Sequence, residues 1–172
     1  MREQTCCITG QHLRREEDEE ALKARLRRTI EGLAAQNVTH FVMGGAPGFE
    51  LLAGEVVLEK RAEDPRIRLT VMLPHEDVSK GWKRCDVERH ERLLAQADEV
   101  VYTSYRKEAG CVQQRNRWLV SSSSVCLCYL TRKVGGVWYT VLLSIRRGLS
   151  IINLSAGETE ADTQGGQAGP QG

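Results

Sequence analysis

The chain has 172 residues, 41% of them hydrophobic and 27% charged, and a net charge of only +1. That length and composition suit one soluble globular domain, able to bury about two-thirds of its unfolded surface without disulfides or metal. The near-neutral balance does not indicate a strongly electrostatic nucleic-acid binder, although a local basic groove is compatible with it.

The first ten residues, MREQTCCITG, lack the apolar core of a signal peptide, and no apolar stretch approaches the roughly 18 residues of a membrane span. A cytoplasmic location without a membrane partner is the expectation. Cys6, Cys7, Cys85, Cys111, Cys126 and Cys128 show no CxxC spacing, and four of them lie in strand-like runs. They read as small, reduced core residues and not as a zinc site.

In chain order, a first strand over residues 5–9 leads to a helix over about 17–36. Leu22, Leu26, Ile30 and Leu33 form its apolar stripe, with Arg25, Arg27, Arg28 and Glu31 toward water. A strand over 38–43 breaks into Gly44-Gly45-Ala46-Pro47-Gly48, and helical spacing restarts at Phe49. Such a turn leaves the N–H groups of Gly45, Ala46 and Gly48 to point outward at the positive end of a helix dipole, which suits an anion. Asp64-Pro65 stops this second helix near residue 61.

A strand over 67–73 and a helix over 83–96 follow, then a strand over 99–103 and a helix over 113–120. The last pair of strands, 125–130 and 150–154, flanks a helix over 136–147 that Gly148 caps. Six short strands separated by helix-length segments, several too apolar for a wet face, predict an α/β fold. Specifically, the expectation is a Rossmann-like three-layer sandwich with a mostly parallel sheet. Residues 1–155 are the expected domain, and 156–172, without aromatics or large aliphatics, read as a disordered C-terminal tail.

Ligands of open parallel sheets sit beyond the carboxyl ends of the strands. Those positions hold Gly10-Gln11-His12, residues 44–50, 74–82, 104–116 and 131–136. Glu50 can accept from a ribose hydroxyl or amine, or simply offset the dipole of its own helix. Arg115 can pair with a phosphate and Asn116 with a polar ligand edge. Trp82 reads first as a partly buried tryptophan and second as a base-stacking ring in a basic rim. The four histidines show no metal spacing, and no nucleophile, base and carboxylate series is legible.

Together, TCCITG, FVMGGAPGFELLAGEVV, LPHEDVSKGW, LLAQADEVV, CVQQRNRWLV and GGVWYTVLLSIRRGLSII resemble YpsA-like bacterial proteins of the SLOG superfamily, over about residues 5–154. The resemblance implies a nucleotide or nucleotide-derived ligand held over the glycine turns, and a homodimer as a common state. The superfamily includes DprA-type DNA-processing proteins, whose SGxAxGID turn and RNR motif are similar to residues 44–50 and 115–117. That likeness implies an alternative role in binding single-stranded nucleic acid or a protein. It also includes LOG phosphoribohydrolases, which cleave nucleoside monophosphates and carry PGGxGTxxE; here VGGVWYTVLL has Trp138 and Leu142 where the second-half glycine and the glutamate belong. Gln11 and His12 replace a usual histidine and arginine, Val78 a frequent glutamine, Ser121–Ser124 a region that tends to carry an aspartate, and Val137 the threonine of a GGT.

The expected ligand set is Gly10, Gly44, Gly45, Ala46, Gly48, Glu50, Arg115, Asn116, Gly135 and Gly136, with no catalytic residue or metal and no cofactor beyond a nucleotide or nucleotide-derived ligand. The expected function is non-catalytic binding or sensing of a small nucleotide-like ligand.

Overall fold

The computed structural model describes residues 1–155. After a turn of 3-10 helix at Arg2–Gln4 come β1 (Thr5–Gly10), α1 (Glu19–Ala35), β2 (His40–Met43), α2 (Phe49–Glu63), β3 (Arg68–Leu73) and α3 (Arg84–Gln96). The second half adds β4 (Glu99–Tyr102), α4 (Cys111–Ser121), β5 (Val125–Tyr129), α5 (Gly135–Arg146) and β6 (Ser150–Asn153). The strands form one parallel sheet in the order β4-β3-β2-β1-β5-β6. This is the expected α/β Rossmann-like architecture. The expected tail, 156–172, lies outside the described residues.

Strand side chains alternate between two cores. Ile8, Phe41, Met43, Leu127 and Tyr129 pack with Leu22, Leu26 and Ile30 of α1 and with Phe49, Leu52 and Val56 of α2. Cys7, Val42, Cys126 and Cys128 lie on the other face, under Leu119 and Val120 of α4 and Val141 of α5. Because both faces are covered, the central strands read as continuous apolar runs. β1 and β5 are buried throughout, while the edge strands β4 and β6 are only partly covered. All six cysteines are free thiols, and only Cys85 is exposed.

Helix ends follow local chemistry. α1 begins two residues later than its spacing predicts because Asp18 caps it, its carboxylate accepting from the Ala21 N–H at 3.1 Å. α2 continues past residue 61 to Glu63, where Asp64 turns extended ahead of Pro65. α4 opens at Cys111, earlier than expected, because Gly110 takes a left-handed conformation at φ 80°. One stripe assignment needs correction: Arg25 does not face water. It pairs with Glu17 at 3.1 Å and donates to the Leu154 carbonyl at 3.0 Å, tying α1 to the end of β6. Among the described residues no helix is long and apolar enough to cross a membrane.

Candidate functional site

The chain winds outward from β1 through β2 and β3 to β4, then returns to place β5 on the other side of β1. That reversal parts the connecting loops at the carboxyl ends of β1 and β5, where doubly wound sheets form a crevice. A cleft of about 360 Å³ lies there. Its walls come from Thr9 to His12 after β1, Ala46, Pro47 and Glu50 around the start of α2, Val112, Arg115 and Asn116 of α4, and Val134 to Val137 with Thr140 at the start of α5.

Seven of the ten expected ligand residues line this cleft: Gly10, Ala46, Glu50, Arg115, Asn116, Gly135 and Gly136. Gly44, Gly45 and Gly48 build the turn behind its wall. At Gly45 and Gly48 the backbone has φ 69° and 93°, which only glycine adopts without strain. His90 of α3 reaches the turn from behind, its Nδ1 2.9 Å from the Gly45 carbonyl. Burial pushes the His90 imidazole below its usual range, partly opposed by that carbonyl.

The turn does not present the open row of amides that its sequence suggests. Glu50, one residue into α2 and 6% exposed, folds back so that Oε1 accepts from the Gly44 N–H at 3.1 Å. The Ala46 and Gly10 N–H groups also bear on this carboxylate. Burial pushes the Glu50 carboxyl up, against the opposing pull of Arg115 and those three amides. The positive end of α2 is thus already occupied by a carboxyl group supplied by the chain. The N-terminus of α5 differs: Val134 precedes it without a side-chain cap, and Gly135 at φ 77° turns the chain into the helix.

Arg115 and Asn116 supply the cleft's directed donors. Arg115 Nε donates to Asn116 Oδ1 at 2.9 Å, which fixes both side chains. Asn116 is 5% exposed, and its Nδ2 points toward Gly136, 3.9 Å from where a Cβ there would stand. Neither this Nδ2 nor the Arg115 Nη groups meet a protein acceptor among the described residues. Burial pulls the guanidinium down from its usual range, and Glu50 opposes that shift.

Gln11, which the sequence places at the carboxyl end of β1 and marks as a departure from the family pattern, is a structural residue. Its Oε1 accepts from the Thr131 N–H at 2.8 Å, the Thr131 hydroxyl at 3.0 Å and the Arg132 N–H at 3.2 Å, while Nε2 donates to the Arg132 and Val134 carbonyls. One amide thereby clasps the β5–α5 loop to the end of β1. Val112, Val137 and Thr140 were also missed as wall residues. Thr140 lies one helical turn beyond Gly136 and donates to its carbonyl at 3.0 Å, a spacing that could have signalled it.

Other candidates have structural employment. Trp82 packs edge-on against His90 with ring centroids 5.0 Å apart, and His40 Nε2 lies 2.8 Å from the Thr70 hydroxyl. The hydroxyls of Ser121, Ser122 and Ser123 donate to carbonyls of α4. A second hollow, of about 420 Å³, sits at the opposite edge of the sheet, where Lys60 is ion-paired with Glu31 and Glu63. No group of three or more potential metal ligands occurs among the described residues.

The model described as the YspA SLOG family, YpsA, matches residues 11–141. UPF0398 proteins of Bacillus thuringiensis strain Al Hakam and Bacillus cereus strain AH187 are each 31% identical over 132 residues, covering 75% of this chain and 72% of the relative. The X-ray structure of TM1055, a structural-genomics target, superposes with a TM-score of 0.54 at 15% identity, covering 88% of this chain and 72% of that one, a likeness of fold. By the extent of the family match and the identity of these relatives, the chain belongs to the YpsA family of SLOG proteins.

Proposed function

We propose that the chain binds a small nucleotide or nucleotide-derived ligand in the cleft between the ends of β1 and β5, and does so without catalysis. The observation that carries this reading is a pair of donors that meet no protein acceptor among the described residues, Asn116 Nδ2 on the Gly136 side of the cleft and Arg115 Nη1 beside Gly44, in a wall that also holds the uncapped N-terminus of α5. A phosphate set against α5 meets backbone amides, a helix dipole and a guanidinium together. Glu50, across the cleft, has Oε1 on the Gly44 N–H and offers its remaining lone pairs to a ribose hydroxyl or an amine.

Glu50 is the single acidic residue of the cleft wall, and it is engaged with the Gly44 amide. Where a LOG-type enzyme carries its glutamate, this chain has Leu142. Glycosidic hydrolysis customarily divides its acid and base work between two carboxylates, so the wall favours holding a ligand over cleaving one.

Titration calorimetry with a panel of nucleoside monophosphates and dinucleotides tests the proposal. Binding by the wild-type protein that Arg115→Ala weakens about tenfold or more, with the melting temperature nearly unchanged, supports it. Equal affinity in both proteins, or release of free base from any monophosphate, overturns it.

A further inference from the structure

Charge is distributed along this chain far less evenly than its net value suggests. Residues 1–102 hold sixteen lysines and arginines against nineteen acids, whereas residues 103–155 hold eight against Glu108 alone. The second group builds the loop after β4 and the whole α4–α5 layer, one complete side of the sheet. Ion pairs of the described residues, Arg25–Glu17, Arg27–Glu59, Lys60–Glu31 and Arg61–Asp98 among them, join partners lying between Glu17 and Asp98. On the α1–α3 side Lys23, Arg25, Arg27, Lys60, Arg61, Arg66, Arg84 and Arg89 stand in ion pairs with neighbouring carboxylates. Among the described residues none of the α4–α5 cations forms an ion pair, and Arg106, Lys107, Arg117, Arg132 and Lys133 are exposed.

Aromatic rings interrupt the same basic surface. Trp118 of α4 is 40% exposed and Tyr139 of α5 is 39% exposed, on two helices that pack side by side. Lys133 Nζ stands 5.4 Å over the ring of Trp138 beside them. Such half-exposed rings offer flat apolar faces on which a planar group can stack.

We propose that the outer surface of α4 and α5 binds single-stranded nucleic acid, its phosphates on Arg117, Lys133 and the loop cations and its bases on Trp118 and Tyr139. Unpaired cations provide the sequence-independent electrostatic attraction, and exposed rings provide stacking that any base can use. A duplex would leave the rings unemployed, because its bases are already stacked. A second copy of this chain placed on the same face would set these exposed cations against their own kind. The proposal is independent of the small-ligand reading, since Arg117, Trp118, Lys133 and Tyr139 lie outside the cleft wall.

Fluorescence anisotropy with a labelled oligothymidylate of about 20 nucleotides, titrated between about 50 and 200 mM salt, tests it. The expected result is binding that weakens with salt at a log–log slope of about −0.7 per phosphate engaged. Combining Arg117→Glu with Lys133→Glu should lower affinity at least about tenfold and flatten the slope. Trp118→Ala and Tyr139→Ala should each weaken binding about fivefold or more while leaving the slope alone. Arg92→Glu, on exposed α3, is the control and should change little; if the reversals fail to fold, Arg117→Gln and Lys133→Gln read the same loss. No binding at the lowest salt overturns the proposal, as does an equal loss from Arg92→Glu. Competition by polyglutamate as effective as by unlabelled oligonucleotide also overturns it, assigning the face to an acidic polypeptide.

Discussion

Gly44 and Arg115 occupy one space: a Cβ added at Gly44 would stand 2.2 Å from Arg115 Nη1. The glycine after β2 therefore admits a guanidinium from α4, seventy-one residues further along the chain. Its backbone φ is not in the left-handed region, so alanine is conformationally allowed there. Gly44→Ala should push the guanidinium aside, costing about 1 kcal/mol or less because a long side chain yields at its tip. Nucleotide binding should fall with Arg115→Ala while the melting curve hardly moves. A Gly44→Ala protein that binds like wild type would separate Arg115 from the ligand.

Gly10 gives the contrasting case. A Cβ there would meet Phe49 Cδ1 at 2.3 Å and Phe49 Cβ at 2.6 Å, and that ring is fully buried and stacked on Tyr129 at 5.4 Å. Nothing flexible can give way. Gly10→Ala should therefore destabilise by about 1–3 kcal/mol, read as a lower midpoint in urea with an unchanged slope.

Gln11 clasps the loop that leads into α5. Gln11→Ala removes five hydrogen bonds, three accepted and two donated, from a partly exposed site where water replaces some of them. A loss of about 1–3 kcal/mol is expected. Hydrogen exchange should accelerate at the Thr131 and Arg132 amides well before it does in β5. Exchange that rises equally throughout the sheet would show that the clasp is not local.

Two carboxylates should respond to pH in opposite senses. Burial raises the Glu50 carboxyl in the folded protein, so folding is favoured by its protonation, and its contribution falls as pH climbs from the ordinary carboxylate range through the raised folded value. Glu50→Gln should gain on wild type as pH increases across that window. Asp98 is lowered: burial opposes the shift, but the Leu69 N–H at 2.8 Å and Arg61 at 2.9 Å outweigh it. Its stabilisation is present above the usual aspartate value and disappears as pH falls through the lowered one. Asp98→Asn should approach wild type in acid, a comparison made by denaturant melts across pH.

His90 braces the glycine turn through the Gly45 carbonyl. Its imidazole titrates below its usual range, so the fold disfavours the charged ring, and stability is lost as pH falls through the ordinary histidine value toward the lowered one. His90→Phe should abolish that acid-side loss yet cost about 1–3 kcal/mol at neutral pH, since the Gly45 carbonyl loses its partner. An unchanged acid profile in the variant would assign the loss elsewhere.

The sequence alone determined what local rules govern. Apolar runs too continuous for a wet face require cover on both sides, and the 3.6-residue stripe of α1 requires a core beneath it, so a parallel sheet between helices was legible from residues 5–9, 38–43 and 125–130. The glycine turn before Phe49 was equally legible, because backbone strain is a property of adjacent residues. What occupies that turn was decided only in three dimensions. Placing β5 beside β1 brings Arg115, Asn116 and Gly136 to the β1 loop, and the close fit of Gly44 leaves room for the guanidinium. Sequence spacing carries no information about such encounters, since they depend on strand order. The same reason hid the fate of Glu50, which sequence left between ligand acceptor and dipole partner, and which tertiary packing turned onto its own glycine turn. It also hid the sorting of charge: a net +1 conceals one helix layer full of ion pairs and another with none among the described residues, because only folding assigns each half of the chain to a side of the sheet.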